Sequence, residues 1–205
     1  MLRIIRLVLM TFVFLGIAVG IVYYQIQKPP VTKDGIDEPM DLGGPFDLVD
    51  QNGRPCRSES FKGKYMIVYF GYSYCPDACP LALQNITKAL KSLKRDRDQI
   101  VPVFITMDPE RDTVEQLKTY SESYDENIYF LTGYRAAIDS VAKAYKTYAK
   151  KIENADTTDY LVDHSTLIYL VDREGKLISY FLHTIEPEKL SDVLVQTLAK
   201  DHKAT

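Results

Sequence analysis

Two cysteines four residues apart are the side chains of this chain best suited to chemistry. Cys75 and Cys79 follow a strongly apolar run, and the prolines and aspartate between and after them are typical of a turn that opens a helix. If the helix begins inside this segment, positions i and i+4 place both sulfurs on one face of its first turn. The unpaired N–H groups at a helix start favour thiolates. We therefore expect both thiols to ionise more readily than free cysteine.

Two thiolates at this spacing support two kinds of chemistry. They can close into a disulfide, or they can bind a thiophilic metal ion. A third ligand would favour the metal, and His164, which opens an apolar strand far along the chain, offers one. A lone histidine at a strand start is more typically a hydrogen-bonded structural residue. The interpretation of His164 as a metal ligand therefore depends on the presence of the cysteine pair.

Three segments of the sequence together resemble the signature blocks of the SCO/SenC family. They read YFGYSYCPDACP at 69–80, TMDPERDT at 106–113 and DHS at 163–165, in the family's order. SCO/SenC proteins are thioredoxin-fold copper chaperones for cytochrome c oxidase assembly, and the resemblance covers roughly residues 42–200. It implies that Cys75, Cys79 and His164 ligate copper, and that Asp108 and Arg111 border the metal face without being ligands.

The ligand types indicate which metal the site would hold. Two thiolates and one imidazole form a soft site suited to Cu(I), and the nitrogen ligand also allows Cu(II) to be held. Zinc would prefer a fourth protein ligand, and the sequence provides no obvious one. We expect Asp163 or a backbone carbonyl to fix the tautomer of the His164 imidazole.

The remaining cysteine and histidines are interpreted as structural. Three cysteines cannot all pair within one chain, so Cys56 is predicted to be a small half-buried thiol outside the metal site. His183 lies at a strand end and His202 in a charged tail, which indicates structural or solvated roles.

The resemblance also implies partners. The recipient would be the binuclear copper site of cytochrome c oxidase subunit II, whose two cysteines must be reduced and loaded, and an upstream copper donor would supply the metal. The competing interpretation is an enzyme, a thiol–disulfide oxidoreductase that reduces those cysteines without delivering metal. The spacing of Cys75 and Cys79 differs from that of the C-x-x-C redox motif, and dependence on His164 would discriminate the two functions. A peroxidase-like enzyme would need one peroxidatic cysteine, and nothing in the sequence singles one out.

The N-terminal residues predict a membrane anchor and a tether. Residues 7–24 are uncharged and strongly apolar, and as a helix they would be about 27 Å long, close to the ~30 Å hydrocarbon core. No small-x-small cleavage pattern follows, which favours an uncleaved transmembrane helix over a signal peptide. Arg3 and Arg6 should stay cytoplasmic. These features favour a bacterial inner membrane with the domain in the periplasm over a mitochondrial membrane, because no Arg- and Ser-rich presequence precedes the helix.

The division of the chain follows from these patterns. Residues 1–27 are predicted to be a cytoplasmic stub and anchor, residues 28–43 an extended tether, and residues 44–205 one copper-binding domain. The chain carries 25 basic and 28 acidic residues, a net charge of −3, so a nucleic-acid partner is not expected.

The domain is predicted to have a thioredoxin-like α/β fold with an N-terminal hairpin. A β-α-β unit would carry the cysteines at the carboxyl end of its first strand, where open α/β sheets place their sites. The predicted strands are 46–50, 64–72, 100–107, 164–171 and 176–181, and the predicted helices are 81–93, 112–123, 134–149 and 188–200.

Two local predictions concern the surroundings of the site. Asp112 and Glu115 have the spacing of a capping box, with Asp112 as the residue that caps the following helix. The polar segment 150–160 predicts a loop that is flexible enough to let His164 approach or leave.

Overall fold

A computed structural model describes residues 42–204 except residues 126 and 154–159, with Arg6 described in isolation and no side chains described beyond residue 200. Its elements in chain order are β1 (Asp47–Asp50), β2 (Pro55–Arg57), β3 (Tyr65–Gly71), α1 (Ala78–Ser92), β4 (Ile100–Thr106), α2 (Val114–Ser121), β5 (Tyr129–Thr132), α3 (Arg135–Ala144), β6 (Ala149–Glu153), β7 (Tyr160–His164), β8 (Leu167–Val171), β9 (Leu177–Leu182) and α4 (Pro187–Ala204). The predicted anchor at 7–24 and most of the predicted tether lie outside these residues. None of the helices within the described residues combines the length and the apolar character needed to cross a membrane.

A seven-stranded mixed sheet runs through the domain in the order β2-β1-β5-β4-β3-β8-β9. The strands β3, β4 and β5 are parallel, and the other pairings in this sheet are antiparallel. Every residue of β3 and β4 is buried, which explains their continuous apolar sequence, because a strand covered on both faces has no polar side. The predicted β-α-β unit and the α/β fold are confirmed.

Helices cover both faces of this sheet. Alternate residues of a strand point to opposite faces, so Tyr69 and its neighbour Phe70 belong to different apolar clusters. Tyr69 packs with residues of α1, α2 and α4. Phe70 packs with residues of α3 and with the N-terminal hairpin of β1 and β2. The turn that carries Cys75 therefore follows a strand that is packed on both of its faces.

The cap of α2 differs from the prediction. Thr113 is the N-cap, and its hydroxyl accepts a hydrogen bond from the Gln116 backbone N–H at 3.2 Å. Asp112, predicted to be the cap, is fully buried and binds Ser73 and Thr106 instead. The two candidates are adjacent in sequence, and tertiary contacts decide between them.

The segment predicted to be a loop at 150–160 contains a strand. β6 pairs antiparallel with β7, and the pair forms a second, two-stranded sheet. The preceding helix, predicted to reach residue 149, ends at Ala144, and Lys146 turns the chain with a positive φ of 47°. All five residues of β6 are exposed, so it lacks the apolar alternation that identifies a strand. His164 ends β7, whereas the apolar run that it was predicted to open begins at Leu167 in β8.

Candidate metal centre

Three potential metal ligands converge from two distant parts of the chain. Cys75 lies in the turn between β3 and α1, Cys79 in the first turn of α1, and His164 at the end of β7. The two sulfurs and a ring nitrogen of His164 all lie within 4.8 Å of one another, and Cys79 Sγ is 3.6 Å from His164 Nε2. Cys79 has no exposed surface and His164 is 7% exposed, whereas Cys75 is only half-buried. The group is therefore accessible from the Cys75 side.

The helix starts inside the cysteine motif, as predicted. α1 begins at Ala78, so Cys75 lies in the turn before the helix, where its N–H donates to the Tyr72 carbonyl at 3.2 Å. The Cys79 backbone N–H points at Cys75 Sγ over 3.5 Å. An unpaired N–H of the first helical turn thus faces a cysteine sulfur, which favours the thiolate.

Gly71, which the sequence reasoning did not single out, makes room for the Cys79 sulfur. A Cβ atom at this position would lie 2.6 Å from Cys79 Sγ and 2.8 Å from a ring carbon of Phe104. These distances leave no space for any other side chain. A glycine at the end of an otherwise bulky apolar strand was the available signal.

The two thiols differ in acidity. The pKa of Cys75 is lowered to about 3, chiefly because the Cys79 thiol donates a hydrogen bond to its sulfur, with the backbone N–H groups of Asp77 and Cys79 as further donors. The pKa of Cys79 is raised by that same hydrogen bond and by burial. The prediction that both thiols ionise readily is therefore wrong for Cys79, because a second negative charge beside the first is disfavoured in a buried site. The pair shares one proton, which Cys79 holds.

A backbone carbonyl orients the imidazole. His164 Nδ1 lies 2.9 Å from the Ser165 carbonyl oxygen, which can only accept, so Nδ1 carries the proton and Nε2 keeps its lone pair on the sulfur side. The Tyr72 ring packs edge-on against the imidazole with centroids 5.7 Å apart. Asp163, the other predicted partner, accepts a hydrogen bond from the Tyr148 hydroxyl at 3.0 Å instead.

Asp108 and Arg111 lie next to the cysteine turn. The Asp108 carboxylate has no exposed surface and accepts a hydrogen bond from Arg111 Nε at 2.5 Å. The Arg111 guanidinium lies over the rings of Tyr72 and Tyr74, at 5.7 Å and 4.8 Å from their centroids. Both charged residues are thus held by protein groups and neither belongs to the cluster of candidate ligands.

Asp112, which was predicted to cap α2, instead lies beside the turn that leads to Cys75. Its carboxylate accepts hydrogen bonds from the Ser73 hydroxyl at 2.5 Å and from the Thr106 hydroxyl at 2.6 Å. Burial raises the pKa of this carboxyl group, and the hydrogen bonds oppose that rise.

The remaining cysteine lies away from this cluster. Cys56 is buried in β2 opposite Leu48, and it packs on the sheet face opposite to that of Cys79. Burial, with Asp50 as a further cause, raises the pKa of Cys56 to about 11. His183 is also absent from the ligand cluster, and the side chain of His202 lies outside the described residues.

Comparison with known proteins assigns the chain to a family. The model of the SCO1/SenC family matches residues 34–199. The chain belongs to the SCO1/SenC family. An SCO2-like protein of Rickettsia prowazekii is 35% identical to this SCO1/SenC chain over 184 residues, which cover 86% of the chain and 90% of that protein. The mitochondrial SCO1 homolog 1 of Arabidopsis thaliana is 37% identical over 163 residues, which cover 79% of the chain and 48% of that protein.

Solved structures agree with the SCO1/SenC assignment. ScoI of Bradyrhizobium japonicum with copper bound matches with a TM-score of 0.70 and 41% identity, covering 76% of this chain and 98% of that one. ScoI of Arabidopsis thaliana with copper bound matches with a TM-score of 0.72 and 37% identity, covering 78% and 99%. The predicted fold is therefore that of SCO1/SenC proteins of known structure.

Proposed function

We propose that this protein is a copper chaperone that binds one copper ion through Cys75, Cys79 and His164. The observation that carries the proposal is the convergence of two sulfurs and an imidazole nitrogen within 4.8 Å. Thiolates are soft ligands that suit Cu(I) and zinc, and imidazole suits copper and zinc among other metals. The copper-bound ScoI structures of two similar proteins support the choice of copper.

The ligand set favours Cu(I) and also accommodates Cu(II). Two thiolates suit the soft monovalent ion, and the single imidazole supplies the harder nitrogen on which Cu(II) depends more strongly. Within the described residues the cluster holds three ligands, one fewer than a closed structural zinc site requires. Zinc is therefore the less suitable cargo.

The proposed recipient is the binuclear copper site of cytochrome c oxidase subunit II, loaded after an upstream donor has delivered the ion. One similar structure, BsSco, is described as a member of the Sco family of cytochrome c oxidase assembly proteins; it is 26% identical with a TM-score of 0.61. Cys75 is half-buried, so the ligands of the recipient can reach the copper ion from that side and displace the ligands of this protein one at a time.

The proposed location is a bacterial inner membrane, with residues 7–24 as the anchor and the domain at 44–205 in the periplasm. The apolar run and the two arginines before it support this topology. An anchor in the membrane that holds the oxidase would raise the effective concentration of donor and recipient.

A second candidate function is thiol–disulfide exchange with the subunit II cysteines. The lowered pKa of Cys75 favours it, because a thiolate is the attacking species. Cys75 would attack a recipient disulfide to form a mixed disulfide, and Cys79 would then displace the recipient. Two thiols would form on the recipient, with protons from Cys79 and water, while Cys75 and Cys79 would become a disulfide.

Metal titration of the full-length chain tests the copper site. The wild-type chain is expected to bind one Cu(I), and Cys75→Ser should abolish tight Cu(I) binding because it replaces a soft ligand with a hard one. His164→Ala should retain Cu(I) weakly and lose Cu(II). Cys56→Ala is the matched control and should bind as wild type. Unchanged affinity in Cys75→Ser would contradict the site assignment.

Oxidase assembly in cells separates the two functions. Copper delivery requires the third ligand, whereas thiol exchange requires only the cysteines. If His164→Ala supports assembly as well as wild type does, thiol–disulfide exchange is the better account.

A further inference from the structure

One loop contacts both segments that carry the candidate ligands. Residues 106–112, which we call the bridging loop, connect the end of β4 to the start of α2. Through Asp112 the loop binds the turn that leads to Cys75. Through Asp108, Glu110 and Arg111 it binds the hairpin of β6 and β7, whose last residue is His164.

Asp112 holds the cysteine side. Its carboxylate accepts hydrogen bonds from the Ser73 backbone N–H at 3.0 Å and from the Ser73 hydroxyl at 2.5 Å, two residues before Cys75. The Thr106 hydroxyl donates to the same carboxylate at 2.6 Å. A fully buried carboxylate with this many donors has one well-defined position, so the turn is fixed to the bridging loop.

Arg111 holds the histidine side. Its Nη1 donates to the backbone carbonyl of Tyr160 at 2.9 Å, and its guanidinium lies 3.7 Å from the centroid of the Tyr160 ring. The Tyr160 hydroxyl donates to Asp108 at 2.9 Å, and Asp108 in turn accepts from Arg111 Nε. Tyr160 is the first residue of the strand that His164 ends. These three side chains join the start of β7 to the bridging loop.

The hairpin depends on such contacts because it has little support of its own. β6 and β7 form a separate two-stranded sheet, and all five residues of β6 are exposed. A two-stranded sheet alone is marginally stable in water. The ion pair of Lys151 on β6 with Glu110 in the bridging loop adds a further attachment, but at an exposed site, where such pairs contribute little. The half-buried contacts of Arg111 are therefore the stronger link.

We propose that Arg111, together with Asp108 and Tyr160, is a positioning group that sets where the His164 imidazole stands relative to the two thiols. The inference rests on the proposed function, in which Cys75, Cys79 and His164 hold copper. Because the imidazole matters more for Cu(II) than for Cu(I), displacement of the hairpin should weaken Cu(II) binding more than Cu(I) binding.

Two substitutions in the full-length chain test this role. Arg111→Lys keeps the positive charge beside Asp108 but loses the planar guanidinium and its bond to Tyr160. Tyr160→Phe removes only the hydroxyl that binds Asp108 and keeps the ring over Arg111. Tyr148→Phe is the matched control, because it removes a hydroxyl that binds exposed Asp163, outside the bridging loop.

Three measurements report on the position of His164. Arg111→Lys should lower Cu(II) affinity by about 10- to 100-fold, the usual cost of losing a group that orients a ligand, and should lower Cu(I) affinity less. Nitrogen hyperfine coupling in the Cu(II) EPR spectrum should change, and in the metal-free chain the amides of residues 160–164 should exchange faster. Tyr160→Phe should act in the same direction, and Tyr148→Phe should match wild type.

The outcomes separate this inference from the proposed function. Wild-type Cu(II) affinity and EPR spectrum in Arg111→Lys would overturn the positioning role. If Arg111→Lys fails to fold, the same comparison with Tyr160→Phe decides. If the wild-type chain binds no copper, the proposed function fails, and amide exchange alone decides whether the bridging loop holds the hairpin. Equal exchange in Arg111→Lys and Tyr148→Phe would then overturn that as well.

Discussion

At the residue scale, the two cysteines of one motif have different chemical states. Cys75 is half-buried and carries the charge, and Cys79 is fully buried and carries the proton. Any incoming ligand, metal or disulfide therefore meets the thiolate of Cys75 first. The backbone N–H groups of Asp77, before α1, and of Cys79, within it, support that charge.

The rate of Cys75 alkylation should show this state directly. Because the pKa is lowered to about 3, Cys75 is already a thiolate at pH 5, so its reaction with iodoacetamide should vary little between pH 5 and pH 8. The rate for an ordinary free thiol instead rises about tenfold with each unit of increasing pH until the pH reaches its pKa of about 8.5. Mass spectrometry of the metal-free chain would measure the rate.

Cys56 provides the internal control for this measurement. It is buried and its pKa is raised to about 11, so it should stay unmodified throughout the same range. A Cys75 rate that climbs steeply between pH 6 and pH 8 would contradict the lowered pKa.

At the element scale, the site depends on how β3 passes into α1. Parallel β3 and β4 end at the same edge of the sheet, and the turn after β3 carries Cys75 while α1 carries Cys79. Close contact of α1 with the end of β3 brings Cys79 against Gly71. The spacing of the sulfurs is therefore a consequence of strand and helix packing as well as of sequence distance.

Gly71→Ala should disturb both stability and the site. The added Cβ would lie 2.6 Å from Cys79 Sγ, so the sulfur or the helix must move. Such overpacking typically lowers the free energy of unfolding by about 1–3 kcal/mol, measured by urea denaturation, and we expect weaker Cu(I) binding with it. Gly44→Ala is the control: its Cβ would meet only Ala144, at 3.2 Å, so Cu(I) affinity should be unchanged. Wild-type Cu(I) affinity in Gly71→Ala would show that the close approach is not needed.

Substitutions of the adjacent residues Asp112 and Thr113, at the start of α2, should lower stability by different amounts. Thr113→Ala removes the N-cap and should lower the free energy of unfolding by about 1 kcal/mol without affecting copper binding. Asp112→Asn should cost more, about 1.5–3 kcal/mol, because a buried charged acceptor with three donors is replaced by an amide. No loss of stability in Thr113→Ala would contradict Thr113 as the N-cap, and a smaller loss in Asp112→Asn than in Thr113→Ala would contradict the buried role of the Asp112 carboxylate.

At the scale of the whole molecule, the candidate site joins two layers of structure. The sulfurs belong to the main α/β domain, and His164 belongs to a hairpin outside the seven-stranded sheet. Binding of one ion by both parts would add a link between the hairpin and the domain, and release would remove that link while the contacts of Arg111 with Tyr160 remain. The proposed anchor at 7–24 adds a third part, which would confine this chemistry to a membrane surface.

Fractionation tests the proposed anchor. The full-length chain should be recovered with the membrane, and protease added from the periplasmic side should digest the domain. Replacing residues 7–24 with a cleavable signal should leave copper affinity intact, because no proposed ligand precedes Cys75, yet should weaken oxidase assembly through lost effective concentration. A mature soluble chain that begins near residue 28 would contradict the anchor and leave the metal site unaffected.

Features that depend on neighbouring residues could be predicted from short stretches of sequence. The apolar runs of β3 and β4, the helix start at the cysteine motif and the SCO/SenC signature blocks can all be recognised within short windows. Other features depend on contacts between residues far apart in the chain, which no short stretch of sequence reveals. His164 stands against Cys79 across 85 residues of chain, Gly71 is needed for a contact with α1, and Asp112 binds Ser73 instead of capping α2. The acidity of each thiol, likewise, depends on burial and on partners that folding supplies, because desolvation and hydrogen bonding act through space and not along the sequence.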